Sequence, residues 1–377
     1  MKPYIYSILF FLITNTIFSQ TEEVLLDRSY LANETTILNL DLDNAIIVFE
    51  ESKDDKIHFN YKISYNKNAK QKIKKYLKQS KIETSKNGNT VTLDAKNSMY
   101  LKLIYSSNGI DFDTSKKHIK NIFSIIKNNK FLYKSRDSVL KEIGFSLGSD
   151  YDDYFKKLKL ENPNKNYGKP SKKLKQQFII KVPKNVKIKI KALHSKINFT
   201  YDVSNLLDLS SFKTEYKFKI INNKNNRFKL MHGIFQAEQI SGGNYNLKDI
   251  HKVKIGVISS VKLETETSRI QIGEIGINVS ITDFNSKIYL YNFSNNFNKF
   301  DLKGDYSELS FYNILDNNYS LNIFGHNTVL NMNDKKTSFG LSKEKKTTKI
   351  IEKKAKTIEN SFGIMEIELL NGIVNIK

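Results

Sequence analysis

Val261-Lys262-Leu263-Glu264-Thr265-Glu266, Arg269-Ile270-Gln271-Ile272, Val279-Ser280-Ile281-Thr282 and Lys287-Ile288-Tyr289-Leu290 follow one another within 30 residues, each with an apolar side chain at every second position. Successive side chains of a strand point to opposite faces, so each run reads as a strand with one buried and one wet face. The runs come in pairs, and the pairs recur. Alternating stretches open at Ile188, Leu207, Phe228, Tyr245, Val261, Val279, Phe300 and Tyr319, at intervals of 19, 21, 17, 16, 18, 21 and 19 residues. Each unit carries a second stretch, such as Ile197-Asn198-Phe199, Tyr216-Lys217-Phe218, Val253-Lys254-Ile255 or Leu309-Ser310-Phe311. Two short strands cannot bury their inward side chains alone, whereas stacked units share one core. The period predicts an all-β chain folded as a parallel, right-handed β-helix (solenoid) with coils of about 19 residues. Asparagine clusters at Asn222-Asn223, Asn225-Asn226, Asn295-Asn296 and Asn317-Asn318 suit its corners, because Asn tolerates left-handed backbone. The alternative is an antiparallel β-sandwich, which predicts two-residue Asn-Gly or Asp-Gly turns. Between residues 188 and 330 there are none.

Working outward, residues 177–334 form the solenoid repeats and residues 20–98 an N-terminal β segment. Leu38, Leu40 and Leu42 alternate before an Asp43-Asn44 turn, and Ile57 to Ile63 alternates again. Ala69, Ile73, Tyr76 and Leu77 fall at helical spacing, and Asn87-Gly88-Asn89 reads as a hairpin turn. Residues 99–176 read as a basic helical insertion, with Ile119, Ile122, Phe123 and Ile126 on one face. Residues 335–377 read as a lysine-rich loop followed by a strand pair around Asn371-Gly372, which would supply the last coil or a cap.

Residues 1–19 have the three-part layout of a secretory signal peptide: Met1-Lys2, an apolar stretch from Ile5 to Ile13, and a small residue, Ser19, before Gln20. The apolar stretch is about half the ~20 residues a membrane-spanning helix needs. The sequence therefore predicts export to the periplasm or cell surface, with no membrane-spanning segment after leader removal. The absence of cysteine excludes a disulfide scaffold, a thiolate metal site and a cysteine nucleophile.

The 377 residues hold 61 Lys and Arg against 39 Asp and Glu, a net charge of +22. That charge is local: residues 113–176 carry +9 and 335–356 carry +7, against +6 on the whole of 177–334. Forty-two asparagines accompany the lysines, so part of the excess is compositional. Lys343, Lys345, Lys346, Lys353, Lys354 and Lys356 are the candidate contacts for a polyanion, either anionic polysaccharide or lipid headgroups. Nucleic-acid binding would want aromatics among the basic residues, and Phe339 stands alone in that segment. No nucleic-acid partner is expected.

Three stretches together resemble a known family: Leu38-Asn39-Leu40-Asp41-Leu42-Asp43-Asn44-Ala45-Ile46-Ile47-Val48, Phe178-Ile179-Ile180-Lys181-Val182-Pro183, and Ile367-Glu368-Leu369-Leu370-Asn371-Gly372-Ile373-Val374-Asn375-Ile376. With the repeats they are similar to the bacterial "putative adhesin" family of exported β-helical proteins of unknown function, related to head-GIN-type autotransporter adhesins of Bacteroidetes. The chain departs from it at the first turn, where Asn44-Ala45 replaces Gly, and in the basic insertion. The resemblance implies a β-helix and supplies no catalytic residues.

Other constellations are sparser. Gly144-Phe145-Ser146-Leu147-Gly148 matches a nucleophile elbow, which would need a base such as His194 or His232 and an α/β sheet around it. Glu264 with Glu266, and Asp301 with Asp305, place carboxylates at alternate positions, as carbohydrate-active β-helix enzymes do. The histidines at 58, 118, 194, 232, 251 and 326 include no close pair, and Asp150-Tyr151-Asp152-Asp153 lacks the Gly of a calcium loop. No metal and no cofactor is expected. The sequence therefore predicts a non-enzymatic exported protein of adhesive or scaffolding role, its envelope or surface partner unknown. A carbohydrate-active enzyme and a polyanion-binding envelope protein stand as alternatives.

Overall fold

The computed structural model describes residues 20–66, 70–78, 80–96, 174–312, 319–332, 335–339, 347–353 and 363–377. The leader read at 1–19 and the helical insertion up to residue 173 lie outside them. The chain opens with β1 (Gln20–Leu31), β2 (Ile37–Asp43), β3 (Ile46–Glu51) and β4 (Lys56–Asn66), then a short helix, α1 (Lys70–Leu77). β5 (Lys81–Asn87) and β6 (Thr90–Lys96) follow. After β7 (Leu174–Val182) come β8 (Lys187–Leu193), β9 (Lys196–Phe199), β10 (Leu207–Ile221), β11 (Arg227–Ser241) and β12 (Asn244–Ser259). Shorter strands continue the run: β13 (Lys262–Glu266), β14 (Arg269–Ile275), β15 (Val279–Phe284), β16 (Lys287–Phe293), β17 (Lys299–Asp305) and β18 (Glu308–Phe311). The last are β19 (Tyr319–His326), β20 (Thr328–Met332), β21 (Lys335–Phe339), β22 (Thr347–Lys353), β23 (Gly363–Leu370) and β24 (Ile373–Ile376). The described chain is all-β apart from α1, in one mixed, unclosed sheet.

The described residues fall into two compact units. In the first, which takes in Lys62–Ser80, the Tyr65 hydroxyl donates to Glu23 at 2.9 Å, Lys62 pairs with Glu22 at 3.3 Å, and Ile73 of α1 is buried. The second unit, Leu25–Tyr61, Lys81–Asn97 and Gln177–Lys377, holds the repeats.

In that unit each strand pairs in parallel with one roughly a repeat away. Leu207 stands opposite Ile188, Asp208 opposite Arg227, Arg227 opposite Asn244, Asn244 opposite Lys262, Lys262 opposite Ser280, and Ser280 opposite Asp301. The rungs so formed have two faces. The first runs β6, β2, β8, β10, β11, β12, β13, β15, β17, β23, β19. The second runs β7, β3, β9, then the later halves of β10, β11 and β12, then β14, β16, β18, β24, β20. Alternation makes the core: Leu93, Leu40, Ile190, Leu209, Phe228, Tyr245, Leu263, Ile281, Leu302, Ile367 and Ile323 form one inward column, all sealed from solvent. Stacking in register lets like side chains meet, so Phe49 lies on Phe199 at 4.3 Å and Phe199 on Phe218 at 4.6 Å between ring centroids.

Two rungs are out of chain order. β2–β3 lies between β6/β7 and β8/β9, and β23–β24 lies between β17/β18 and β19/β20. The C-terminal pair is therefore an internal rung and neither caps the stack nor ends it. Residues 335–356, expected as a loop, carry two strands: β21 runs antiparallel on β20 and β22 antiparallel on β19. At the other end β5 runs antiparallel on β6. Gly88, at φ +54, takes the first central position of the turn between them, where positive φ favours Gly.

Candidate functional site

The two faces meet at a corner built the same way on rung after rung. Asn44, His194, Lys213, His232, Asp249, Thr267, Asn285, Tyr306, Asn371 and Asn327 follow the first-face strands, and all have φ between 48° and 58°. Left-handed backbone brings Cβ against the next carbonyl and costs about 1–2 kcal/mol for most residues, less for Asn and Asp. What holds it here is the ladder passing through the corner: the amide of Asn44 donates to Leu193 O at 2.9 Å, His194 to Phe212 O at 3.0 Å, and Tyr306 to Leu370 O at 2.9 Å.

The next residue turns inward, and in most rungs it is small and hydroxylic: Ser195, Thr214, Ser268, Ser286, Ser307 and Thr328, all buried. Each hydroxyl closes a gap the corner leaves in the backbone pairing. Ser195 Oγ donates to Leu193 O at 2.8 Å and accepts the Ala45 amide at 3.1 Å. Ser268 Oγ donates to Glu266 O at 2.9 Å and accepts the Ile250 amide at 3.0 Å. Ala45, Gly233, Ile250 and Gly372 take that place in the other rungs, and at Gly233 a Cβ would lie 2.2 Å from Thr214 O and the β11–β12 register shifts. A bulge of this kind re-aims the side chains around it.

Above that bulge the outward side chains change character. Leu193, Phe212 and Met231 stand side by side on neighbouring strands, with Leu193 38% and Met231 41% exposed. They floor an open depression of ≈ 640 Å³, rimmed by Asp41, Lys191, Ser210, Lys229, Asn246 and Lys248. Phe212 is flanked edge-on by His194, at 6.2 Å between ring centroids, and by His232, at 5.0 Å, with Lys213 Nζ 5.4 Å over its ring. Burial pushes His194 down to about 4, and the Lys213 cation adds to this, so the ring is neutral at physiological pH. His232 Nε2 lies 3.9 Å from Asp249 Oδ2.

The sequence-derived candidates distribute as follows. His194 and His232 come together around Phe212, while Ser146 lies outside the described residues. Glu264 accepts from Asn246 at 2.8 Å, and Glu266 pairs with Lys248 at 2.8 Å. Asp301 pairs with Lys299 at 3.1 Å, and Asp305 accepts from Asn371 at 3.1 Å. All four are outward-facing groups tied to neighbours on their own or adjoining strands. His58 bonds Asp54 at 2.7 Å. Lys353 ends β22 opposite Tyr319, whereas Lys343, Lys345, Lys346, Lys354 and Lys356, like His118 and Asp150–Asp153, lie outside the described residues. Among the described residues no cluster of His, Asp and Glu could hold a metal ion, and no helix is long and apolar enough to cross a membrane.

The sequence places turns at Asn44 and Asn371, while the same corner in the other rungs is not read from it. Its signal is a hydroxyl recurring at repeat intervals, in His194-Ser195 and Lys213-Thr214 and again, after Gly233 and Ile250, in Thr267-Ser268, Asn285-Ser286 and Tyr306-Ser307.

No protein-family model matches the chain, and no curated protein matches it. Among solved structures, one described as a "putative cell adhesion protein" from Clostridium sporogenes ATCC 15579 is similar to it at 12% identity, over 95% of this chain and 99% of that chain, with a TM-score of 0.18.

Proposed function

We propose that the protein is an exported, non-enzymatic β-solenoid that serves as an extended binding scaffold in the cell envelope or at its surface, in adhesion or scaffolding. The observation carrying this reading is the outward layout of the second unit. One side chain per strand stands in each outward column, as in Asn39, Lys189, Asp208, Arg227, Asn244, Lys262, Ser280, Asp301 and Glu366. Such a surface offers many weak contacts spread along the stack, suited to a polymer or another surface. The parallel register at intervals near 19 residues supports the solenoid, and the Met1–Ser19 leader supports export.

Three measurements test the reading. An epitope-tagged chain on intact cells is treated with protease; loss of the tag while a periplasmic marker survives places it at the surface, and its retention on a cytoplasmic chain refutes export. The full chain immobilised on beads is expected to retain whole cells saturably, and a fluorophosphonate probe to leave Ser146 unlabelled. Beads that retain no cells, or an adduct at Ser146, overturn the binding reading.

A further inference from the structure

Resting on that reading, we propose that the outward face of β8, β10 and β11, beside the corner, binds an acidic polysaccharide chain. The cations there are arranged strand by strand. β8 presents Lys187, Lys189 and Lys191, and β11 presents Arg227 and Lys229. Between them β10 presents Asp208 and Ser210. Positive rows therefore recur every second strand, about 10 Å apart at the usual strand spacing.

These five cations form no ion pair with any carboxylate among the described residues. Further along the same face three of the lysines are paired, Lys248 with Glu266 at 2.8 Å, Lys299 with Asp301 at 3.1 Å and Lys303 with Glu368 at 3.7 Å. The lone exception, Lys262, has no second cation on either neighbouring strand at its level. Asp208 is the single carboxylate between the two rows, so the patch keeps a net positive charge that an anionic partner offsets. It is also bounded, by Asp41 and Asp43 of β2 on one side and by Glu264 and Glu266 of β13 on the other.

The apolar floor narrows the partner. Leu193, Phe212 and Met231 are exposed to an open depression that continues across strands and closes around nothing. A sugar ring carries apolar C–H faces between its polar edges, and Ser210 and Asn246 stand at the rim to meet its hydroxyls. Two residues of an extended acidic polysaccharide span a length comparable to the cation repeat, so charge meets charge along the chain. A layer of lipid headgroups matches the charges but offers no rigid ring face to lie along the apolar floor.

The test is binding of the full chain to polygalacturonate at about 0.1 M salt, where the Debye length is about 10 Å, against neutral dextran and phosphatidylglycerol vesicles. The variant Lys191→Gln/Arg227→Gln/Lys229→Gln is expected to weaken polygalacturonate binding about 100-fold, at about five-fold per basic residue beside an anionic surface. Lys217, Lys219 and Lys254, also free of ion pairs but beyond the corner on the second face, are the control. Their triple change to Gln is expected to cost less than about three-fold, as screened charges a Debye length away do. Leu193→Ser/Met231→Ser is expected to weaken binding while leaving its salt dependence unchanged. Unchanged circular dichroism confirms that these outward substitutions leave the fold intact. Equal losses from the two triple variants, equal binding of dextran, vesicle binding without polygalacturonate binding, or no binding at all each overturn the inference. If whole-cell retention on beads survives any of these, this inference alone falls; if retention is lost while polygalacturonate still binds, the scaffold reading falls instead.

Discussion

Asp283 tests whether the corner is held by its buried polar ladder. It is 5% exposed in an inward column of the first face, opposite Thr265 on one side and Gly304 on the other. Its Oδ1 accepts the Thr265 hydroxyl, and its Oδ2 accepts the Ser286 amide at 3.0 Å and the Ser307 hydroxyl at 2.6 Å. No cation pairs with it among the described residues, so three donors carry the carboxylate. In Asp283→Ala the Ser307 hydroxyl keeps Asp305 O, 3.2 Å away. The Ser286 amide and the Thr265 hydroxyl keep nothing. At roughly 1–3 kcal/mol for each buried polar group left unmade, the substitution costs about 4 kcal/mol. In Asp283→Asn the side-chain oxygen can still accept from Ser286 and Ser307 while its NH2 donates to the Thr265 oxygen. All three bonds survive as neutral ones, and the expected cost is about 2 kcal/mol.

Urea unfolding reads the difference through tyrosine fluorescence, since the chain has 20 Tyr and no Trp. With a slope of about 3 kcal/mol per molar, the midpoint falls by about 1.3 M for Ala and about half of that for Asn. Equal midpoints for the two variants, or an Ala variant within about 0.3 M of wild type, would refute the account.

Three further outcomes are expected. His194 is neutral when folded and titrates near its ordinary 6.5 when unfolded, so its contribution is whole above pH 6.5, declines down to about pH 4 and is flat below. Discounted for the ring's partial exposure, the decline is about 2 kcal/mol, read as the wild-type stability curve minus that of His194→Asn; a difference independent of pH would contradict it. Gly233→Ala places a methyl 2.2 Å from the Thr214 carbonyl oxygen, so backbone must move; the urea midpoint should fall by the equivalent of about 3 kcal/mol, and a neutral result would mean that the bulge is slack. Thr267 is a β-branched residue at φ 48°, so Thr267→Asn should raise stability by about 1 kcal/mol in the same assay, and a loss would show that its side chain is needed where it stands.

The alternation at Leu38, Leu40 and Leu42 announced which side chains face inward, and the short helix and the Gly88 turn were equally legible. Phase was less so. Counting apolar side chains places a unit at Phe228, but the residue opposite Leu207 is Asn226, a buried side chain whose Oδ1 accepts the Leu207 amide at 2.8 Å. Likewise Val261 stands one rung beyond Gly243, which is also buried, not Tyr245. Positions two apart on a strand face the same way, so a polar or glycine rung shifts the count by two without breaking the pattern. The corner escaped for a different reason: His, Lys, Thr and Tyr there lack the composition of left-handed backbone, and the hydrogen-bond ladder sets the conformation. Neighbour order escaped because alternation says which face is buried and nothing about which strand lies alongside. Hence the C-terminal pair, plausible as a cap, turns out to be an inner rung.

The antiparallel strands at the ends recast the lysines with which the charge question began. A stack of parallel strands leaves an unpaired row of amides and carbonyls at each end, a template for another chain. Here β5 covers β6 at one end, while β21 and β22 cover β20 and β19 at the other. The covering strands are charged, with Lys81, Glu83 and Lys86 in β5, Lys335 and Lys336 in β21, and Lys349, Glu352 and Lys353 in β22. Charge on an edge strand resists further pairing, so the composition of these covering strands suits the ends of the stack. The same cannot be said of β8 and β11, whose strands are paired on both sides and have no edge to guard. Cations there block no edge and form no ion pair among the described residues, and this is the ground on which an anion-binding face is proposed in the middle of the stack.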